Sequence, residues 1–265
     1  MKFITDNNTL LTFIPNVITH VEGEDDLLTK LTPWLTAEEM YFEDSFLNYE
    51  VISEMEKATD ILIFARMAIV NRAFAAAIPS LDLILTGNGF GIVSNQTIAP
   101  ASRDRVNALV GSLIDSADAA IESIAVMTNG AILGQSIFRG FEAQRMLGKT
   151  TKLYQEYLAT INAVRREEHD LGATIISAEV LKQLHQSAYH TGIEIAALAQ
   201  LQYLCKMFVL NRLQDKPVHG IRTSIVEHIR QNADSFPNWA TSEAAKYWQD
   251  HSFKNDKSKG GFFLC

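Results

Sequence analysis

The 265-residue chain predicts a mainly α fold: a bundle of long helices with one β-hairpin at about residues 81–95 and an extended C-terminal arm. Three observations carry that expectation. Apolar residues recur at helical spacing over long stretches, most regularly Val106, Leu109, Val110, Leu113, Ile114, Ala117, Ala120, Ile121 and Ile124. Two short β-favouring runs flank Gly87-Asn88-Gly89, and Asn-Gly suits a tight hairpin because both residues tolerate positive φ. Beyond Phe253 the chain turns polar through Gly260-Gly261, then closes on Phe262-Phe263-Leu264-Cys265.

Taken in order, residues 1–5 read as a short strand. Asp6-Asn-Asn-Thr-Leu10 starts a first helix with Asp or Asn at its cap, Pro15-Asn16 ends it, and Ile18–Gly23 reads as extended. Glu24, Asp25 and Asp26 open the next helix, with Leu27, Leu28, Leu31, Trp34 and Leu35 on one stripe. Pro33 is expected to break or kink that helix, or to sit in the first turn of another. Thr36 and Glu39 have capping-box spacing, so a new helix is expected from Thr36. A long pattern from Glu50 to Ile78 includes four alanines between Ala73 and Ala77, which allow close helix contact, and Pro79-Ser80 is expected to stop it. After the hairpin, a helix of about 101–127 begins with Ser94 or Ser102 as a source of a capping hydroxyl. It closes at Thr128-Asn129-Gly130. Residues 135–168 continue the helical pattern, interrupted at Gly148. Leu171–Ile176 reads as a short strand, followed by one long helix over 178–213 or two pieces split near Gly192. A loop at 215–220, a helix at 221–231, a turn with buried aromatics at Phe236-Pro237-Asn238-Trp239 and a short helix at 243–248 complete the chain. The expected organisation is an N-terminal half (1–129), a C-terminal half (130–252) and an arm (253–265). Arg66–Arg72 resembles Lys206–Arg212, which helix-end composition accounts for as a coincidence.

Hydrophobic residues make up 47% and charged residues 20%, enough apolar content for a sizeable core. A net charge of −8 argues against general binding of a phosphate backbone. Arg222, His228 and Arg230 form a local basic cluster that reads as a solvated helix face. Cys205 sits in an apolar run and Cys265 ends the chain, so neither a disulfide framework nor a metal quartet is indicated, and a reducing compartment fits. The first residues lack the pattern of a signal peptide. No apolar run reaches the ~20 residues of a membrane span, and the best candidate, Ile61–Ile78, is interrupted by Arg66, Asn71 and Arg72.

Chemistry is sparse. Gly87-Asn-Gly-Phe-Gly91 lacks the spacing and the following helix of a dinucleotide loop. Arg165-Arg-Glu-Glu-His-Asp170 is the densest titratable cluster but lacks the two ligands one turn apart of a zincin helix. His185 and His190 are five apart and face different directions. No Gly-x-Ser-x-Gly elbow is present. No cofactor or metal is expected. The apolar tip Phe262-Phe263-Leu264 reads as an arm that docks on a partner.

Ile69-Val-Asn-Arg72, then Leu81–Asn95, then Ala99-Pro-Ala-Ser-Arg-Asp-Arg-Val106 resembles an uncharacterised family of Bacteroides-type tailed phages and prophages, including crAss-like phages. Its members look like head–tail connector, or adaptor, ring proteins. The ending, from Phe236-Pro-Asn-Trp239 to the Phe253–Phe263 tail, is similar to that family as well. The resemblance implies a non-enzymatic structural virion protein: a helical subunit repeated twelvefold around the portal axis. It would contact copies of itself, the portal protein and neighbouring neck or tail rings. Its place would be the neck or tail region of the virion, and the host cytoplasm before assembly, with no membrane. DNA would pass through the channel without sequence-specific binding. Carried to this chain, the hairpin 81–95 and the tail 253–265 are the reaching parts, with Gly87, Asn88, Gly89, Phe90, Phe253, Phe262, Phe263 and Leu264 as interaction residues. The alternatives are a helical enzyme or ligand-binding domain with a site near Glu167, His169 and His190, or a capsid cargo or scaffolding protein.

Overall fold

In the computed structural model the described residues are 2–14, 25–46, 58–81, 83–86, 89–92, 102–189 and 196–248. The chain is mainly α-helical, and it divides into two compact units. The first comprises Met1–Val164 with His185–Thr191, the second Arg165–Leu184 with Gly192–Cys265. Gly130 lies inside the first unit.

The first unit opens with an extended segment and α1 (Asn7–Phe13). The strand expected at residues 1–5 is not formed. The N–H groups of Lys2, Phe3 and Ile4 instead donate to one carboxylate, Glu39, at 2.9, 3.1 and 3.3 Å. A side chain thus does what a neighbouring strand would do, and Phe3 and Ile4 can be buried without orphaned donors. Asp6 caps α1 as expected, accepting from the Thr9 N–H at 2.8 Å and its hydroxyl at 2.7 Å.

Asp26 caps α2 (Leu27–Ser45), accepting from the Thr29 N–H at 2.7 Å. Pro33 lies inside this helix, and no new helix begins at Thr36. Two local features explain that correction. Thr29 and Pro33 are both exposed, so the carbonyl that Pro33 cannot serve faces the solvent side. The Thr32 and Thr36 hydroxyls donate back to the carbonyls of Leu28 and Thr32, each at 2.8 Å, so Thr36 acts within the helix and not as its cap. The stripe Leu27, Leu31, Leu35, Glu39 and Phe42 is buried along the whole length, on both sides of the proline.

α3 (Ala58–Leu81) runs through Pro79, which falls in its last turn, where Ser80 donates its hydroxyl to the Ala77 carbonyl at 2.8 Å. The expected stop at Pro79-Ser80 is therefore late by part of a turn; the expected start at Glu50 lies outside the described residues. β1 (Leu83–Thr86) and β2 (Gly89–Ile92) pair antiparallel, with Leu83 opposite Ile92 and Thr86 opposite Gly89. α4 (Arg103–Met127) follows. Ser102 holds its N-cap position, but the side chain makes no capping bond.

Among the described residues α3 and α4 form the most extensive helix contact, and α2 packs on α3. Ala65, Ala68, Ala73 and Ala77 of α3 and Ala117 of α4 are fully buried, so small side chains let the helix backbones approach. α3 is long and apolar enough to cross a membrane. Its apolar content matches its packing, since Ile61, Ile69 and Val70 belong to this unit's core with Leu31, Ile121 and Ile124.

Residues 131–141 are mostly irregular, against the helix expected from 135. Gly130 has φ +84° and Gly140 φ +51°, and a Cβ on Gly130 would stand 2.1 Å from the Gly140 nitrogen. This backbone-on-backbone contact needs a glycine at 130, whereas a Cβ on Gly140 would find ordinary contact at 3.6 Å and only its positive φ favours glycine there. The helical pattern resumes as α5 (Glu142–Met146) and, after a turn at Gly148 (φ +86°), as α6 (Leu153–Leu171).

The second unit begins within α6, at Arg165. Its clearest departure from expectation is Leu171–Ile176: Gly172–Ile176 forms a π-helical turn and not a strand. Widening the helix frees carbonyls, and two indoles take them. Trp239 Nε1 donates to the Ile175 carbonyl at 2.8 Å, and Trp248 Nε1 to that of Thr174 at 3.0 Å. Gly172 lies against Leu181, whose Cδ2 a Cβ at this position would meet at 2.8 Å. α7 (Ala178–Tyr189), α8 (Ala196–Leu213), α9 (His219–Gln231) and α10 (Glu243–Tyr247) complete the chain. Phe236 and Trp239 are buried in their turn, as expected.

Candidate functional site

Of the eight residues expected to make contacts, Gly89 and Phe90 begin β2, while Gly87, Asn88, Phe253, Phe262, Phe263 and Leu264 lie outside the described residues, as does His190. The paired strands lie between α3 and α4 in the chain, the two longest helices among the described residues, and these helices pack on one another.

The sequence missed a polar cluster within this helical frame. Arg72, on α3, extends Nε to Glu38 on α2 at 3.1 Å and Nη1 to Asp118 on α4 at 3.5 Å. Its guanidinium carbon lies 5.0 Å from the centre of the Tyr41 ring. Tyr41 and Tyr154 share a hydroxyl contact at 3.3 Å, and Asp118 also accepts from Gln155 at 2.9 Å. Burial raises the Tyr154 phenol well above its ordinary range, and the hydrogen bond with Tyr41 adds to that. One cation therefore ties three helices through two carboxylates, with Asp118 only 6% exposed. Such a cluster fixes the register of helices; both carboxylates already have donors. The available signal was Arg72 itself, a charge in the most apolar helix of the chain.

The titratable run at 165–170 separates in space. Glu167 is buried and accepts from Arg212 Nε at 2.9 Å, while Arg166 stands 3.6 Å from its other oxygen. The hydrogen bond that Arg212 donates to Glu167, together with the Glu167 charge, holds the Arg212 guanidinium above its usual range, with smaller contributions from Asp170 and Asp215. Glu168 is buried and His169 exposed, so the two point apart. Among the described residues no three His, Cys, Asp or Glu side chains converge as metal ligands. Burial pushes the Cys205 thiol up, and the charge of Glu168 adds to the shift, so this sulfur is a core group and not a nucleophile.

The expected basic face at Arg222, His228 and Arg230 is largely committed to local contacts. The His228 ring contacts the Ala197 carbonyl at 2.7 Å, Arg230 donates to the Trp248 carbonyl, and Arg222 lies over the Phe208 ring at 5.5 Å. In the first unit, the Gly130–Gly140 contact borders a cleft of about 300 Å³ that also presents Val126, Arg139, Glu142 and Arg145.

These features define an all-α protein whose polar clusters hold helices in register. Residues 17–127, from before α2 to the end of α4, match a family of unknown function (DUF6712). No curated protein matches the chain. No solved structure matches it.

Proposed function

We propose that this chain is the subunit of a head–tail connector ring in a tailed phage, a structural virion protein that docks on the portal and joins the capsid to the tail. One observation carries the proposal. The segments that resemble the connector-like family, Ile69–Arg72, Leu81–Asn95 and Ala99–Val106, fall on α3, the ribbon and the start of α4. A pair of long helices with a short ribbon at its turn suits a ring wall with a contact arm, because the wall resists bending while main-chain edges and small loops reach a neighbour. The tail 253–265, with its apolar tip, is the second arm. Twelve copies surround the portal axis, and neighbouring neck or tail rings bind the faces of the ring. The net negative charge suits a channel that DNA crosses without being held.

The deciding experiment reconstitutes the full chain with the portal protein of the same virus and images the mixture by electron microscopy. A ring of fixed rotational symmetry seated on the portal is the expected result. A chain that stays monomeric and never joins the portal overturns the proposal. Removing residues 260–265 should lower incorporation into particles while helicity is retained; unchanged incorporation rules out the docking arm.

A further inference from the structure

The chain contains two Asn-Gly pairs, Asn88-Gly89 and Asn129-Gly130. Such pairs deamidate without an enzyme, because glycine puts no side chain in the way of its own backbone nitrogen. Base removes the glycine N–H proton, the nitrogen attacks the Asn side-chain carbon, and a cyclic imide forms as ammonia leaves with a proton returned by water. A water molecule then opens the ring. Opening at the side-chain carbonyl gives Asp, and opening at the main-chain carbonyl gives isoAsp. The sum is one water consumed and one ammonia released. Asn129 is exposed just beyond the last turn of α4, with φ +50°, so water and base reach its side chain. The Gly130 nitrogen is held differently. Its N–H donates to the Ala125 carbonyl at 2.7 Å. Thr128 fixes the same turn: its N–H and its hydroxyl each donate to the Ile124 carbonyl at 2.9 Å, and its own carbonyl accepts from Ala131 at 3.0 Å. On its other side Gly130 meets the Gly140 backbone, where a Cβ would stand 2.1 Å from the nitrogen. Ring closure must swing the Gly130 nitrogen towards the Asn129 side chain. That movement breaks the 2.7 Å bond and displaces Gly130 from Gly140.

We propose that Asn129 is a deamidation site gated by the fold. The closed turn withholds the Gly130 nitrogen, and conversion proceeds only through a local opening that parts Gly130 from Gly140. The two products then differ. Asp keeps the length of the main chain, so the turn can close again. IsoAsp routes the main chain through the former side chain and adds one carbon atom between residues 129 and 130. A contact with no room for a Cβ cannot house an extra backbone carbon, and the surrounding packed atoms do not yield. The isoAsp form therefore makes the opening permanent. All of these groups lie in the first unit. The site is independent of the ring proposal, and either can fail without the other.

The test incubates the full natural chain in mildly alkaline buffer, with and without unfolding urea. Peptide mapping by mass spectrometry, with separation of the Asn, Asp and isoAsp forms, follows residue 129. Asn88-Gly89 is the reference in urea, where both pairs should convert at similar rates. The expected result is conversion at Asn129 slowed about tenfold or more in buffer relative to urea. Gly140→Ala places a side chain at φ +51°, so it should raise the rate in buffer about fivefold and leave the rate in urea unchanged. In chains purified with isoAsp at 129, hydrogen exchange should find the Gly130 amide unprotected. Equal rates in buffer and urea overturn the proposal. So does an unchanged rate in folded Gly140→Ala, or a Gly130 amide still protected in the isoAsp form. If Gly140→Ala does not fold, the two rates of the natural chain and the exchange of its isoAsp form decide.

Discussion

Gly130 shows how one residue type can be demanded by its surroundings. Its φ of +84° favours glycine, and a Cβ would meet the Gly140 backbone at 2.1 and 2.6 Å, where no side chain can yield. Gly130→Ala should cost roughly 3 kcal/mol or more in chemical denaturation, because strain and a backbone clash add. Gly148 has a similar φ of +86° but open space around the Cβ position, so Gly148→Ala should cost only about 1–2 kcal/mol. Asp6 carries a pH dependence. The Thr9 N–H and hydroxyl bond its ionised form and lower its carboxyl below the ordinary 3.8. The cap therefore contributes fully above that value and is lost as pH falls through the lower folded one. Acid titration of helicity should show α1 fraying late in the acid limb, and Asp6→Asn should remove that component. Cys205, fully buried, should resist alkylation in the native chain and react only on unfolding, a contrast that mass spectrometry of its peptide reads directly.

Among the elements, α2 and the π-helical turn depend most on distant partners. Glu39 is one carboxylate serving three backbone donors of another segment. Glu39→Ala should cost about 3 kcal/mol and loosen residues 2–5, which amide hydrogen exchange would register at Phe3 and Ile4. Glu39→Gln, which keeps one acceptor, should cost less. The turn at Gly172–Ile176 relies on Trp239, so Trp239→Phe should cost about 1–2 kcal/mol by stranding the Ile175 carbonyl. The contact between α3 and α4 rests on small residues. Ala73→Leu should destabilise by about 1–3 kcal/mol, measured as a lowered unfolding midpoint, because a filled contact cannot admit more volume.

For the whole molecule, assembly is the test. On the proposed role, replacing residues 82–93 by a short Gly/Ser linker should leave far-ultraviolet helicity nearly unchanged and abolish ring formation in light scattering and electron microscopy. Rings that form as before would remove the ribbon from the interface. The lumen of the assembled ring should be predominantly acidic, and a uniformly positive lumen would contradict the proposed passage of DNA.

How much of this could be read beforehand depends on where each cause lies. α4, the Asp6 cap, the Gly130 stop and the buried Phe236–Trp239 turn were legible, because periodicity and capping act within a few residues; Asp26, expected within the first turn of α2, stands one place earlier as its cap. The helix start at Thr36 and the strand at Leu171–Ile176 were misread for the opposite reason. Local rules assign a capping box to Thr36 and Glu39, yet burial of Leu31, Leu35 and Glu39 holds one helix together across Pro33. They assign a strand to a β-branched run, yet two indoles more than sixty residues away accept a widened helix. Of the candidate site, the Gly-Asn-Gly stretch was visible as a motif, while the pairing of Arg72 with Asp118 had no local signal: 46 positions separate the two charges (118 − 72). The sequence by itself determined a mainly α class, the main helix stripes and the Asp6 cap. Only the tertiary structure decided which polar groups satisfy one another, because a hydrogen-bond partner is chosen by proximity in space and leaves no period in the chain.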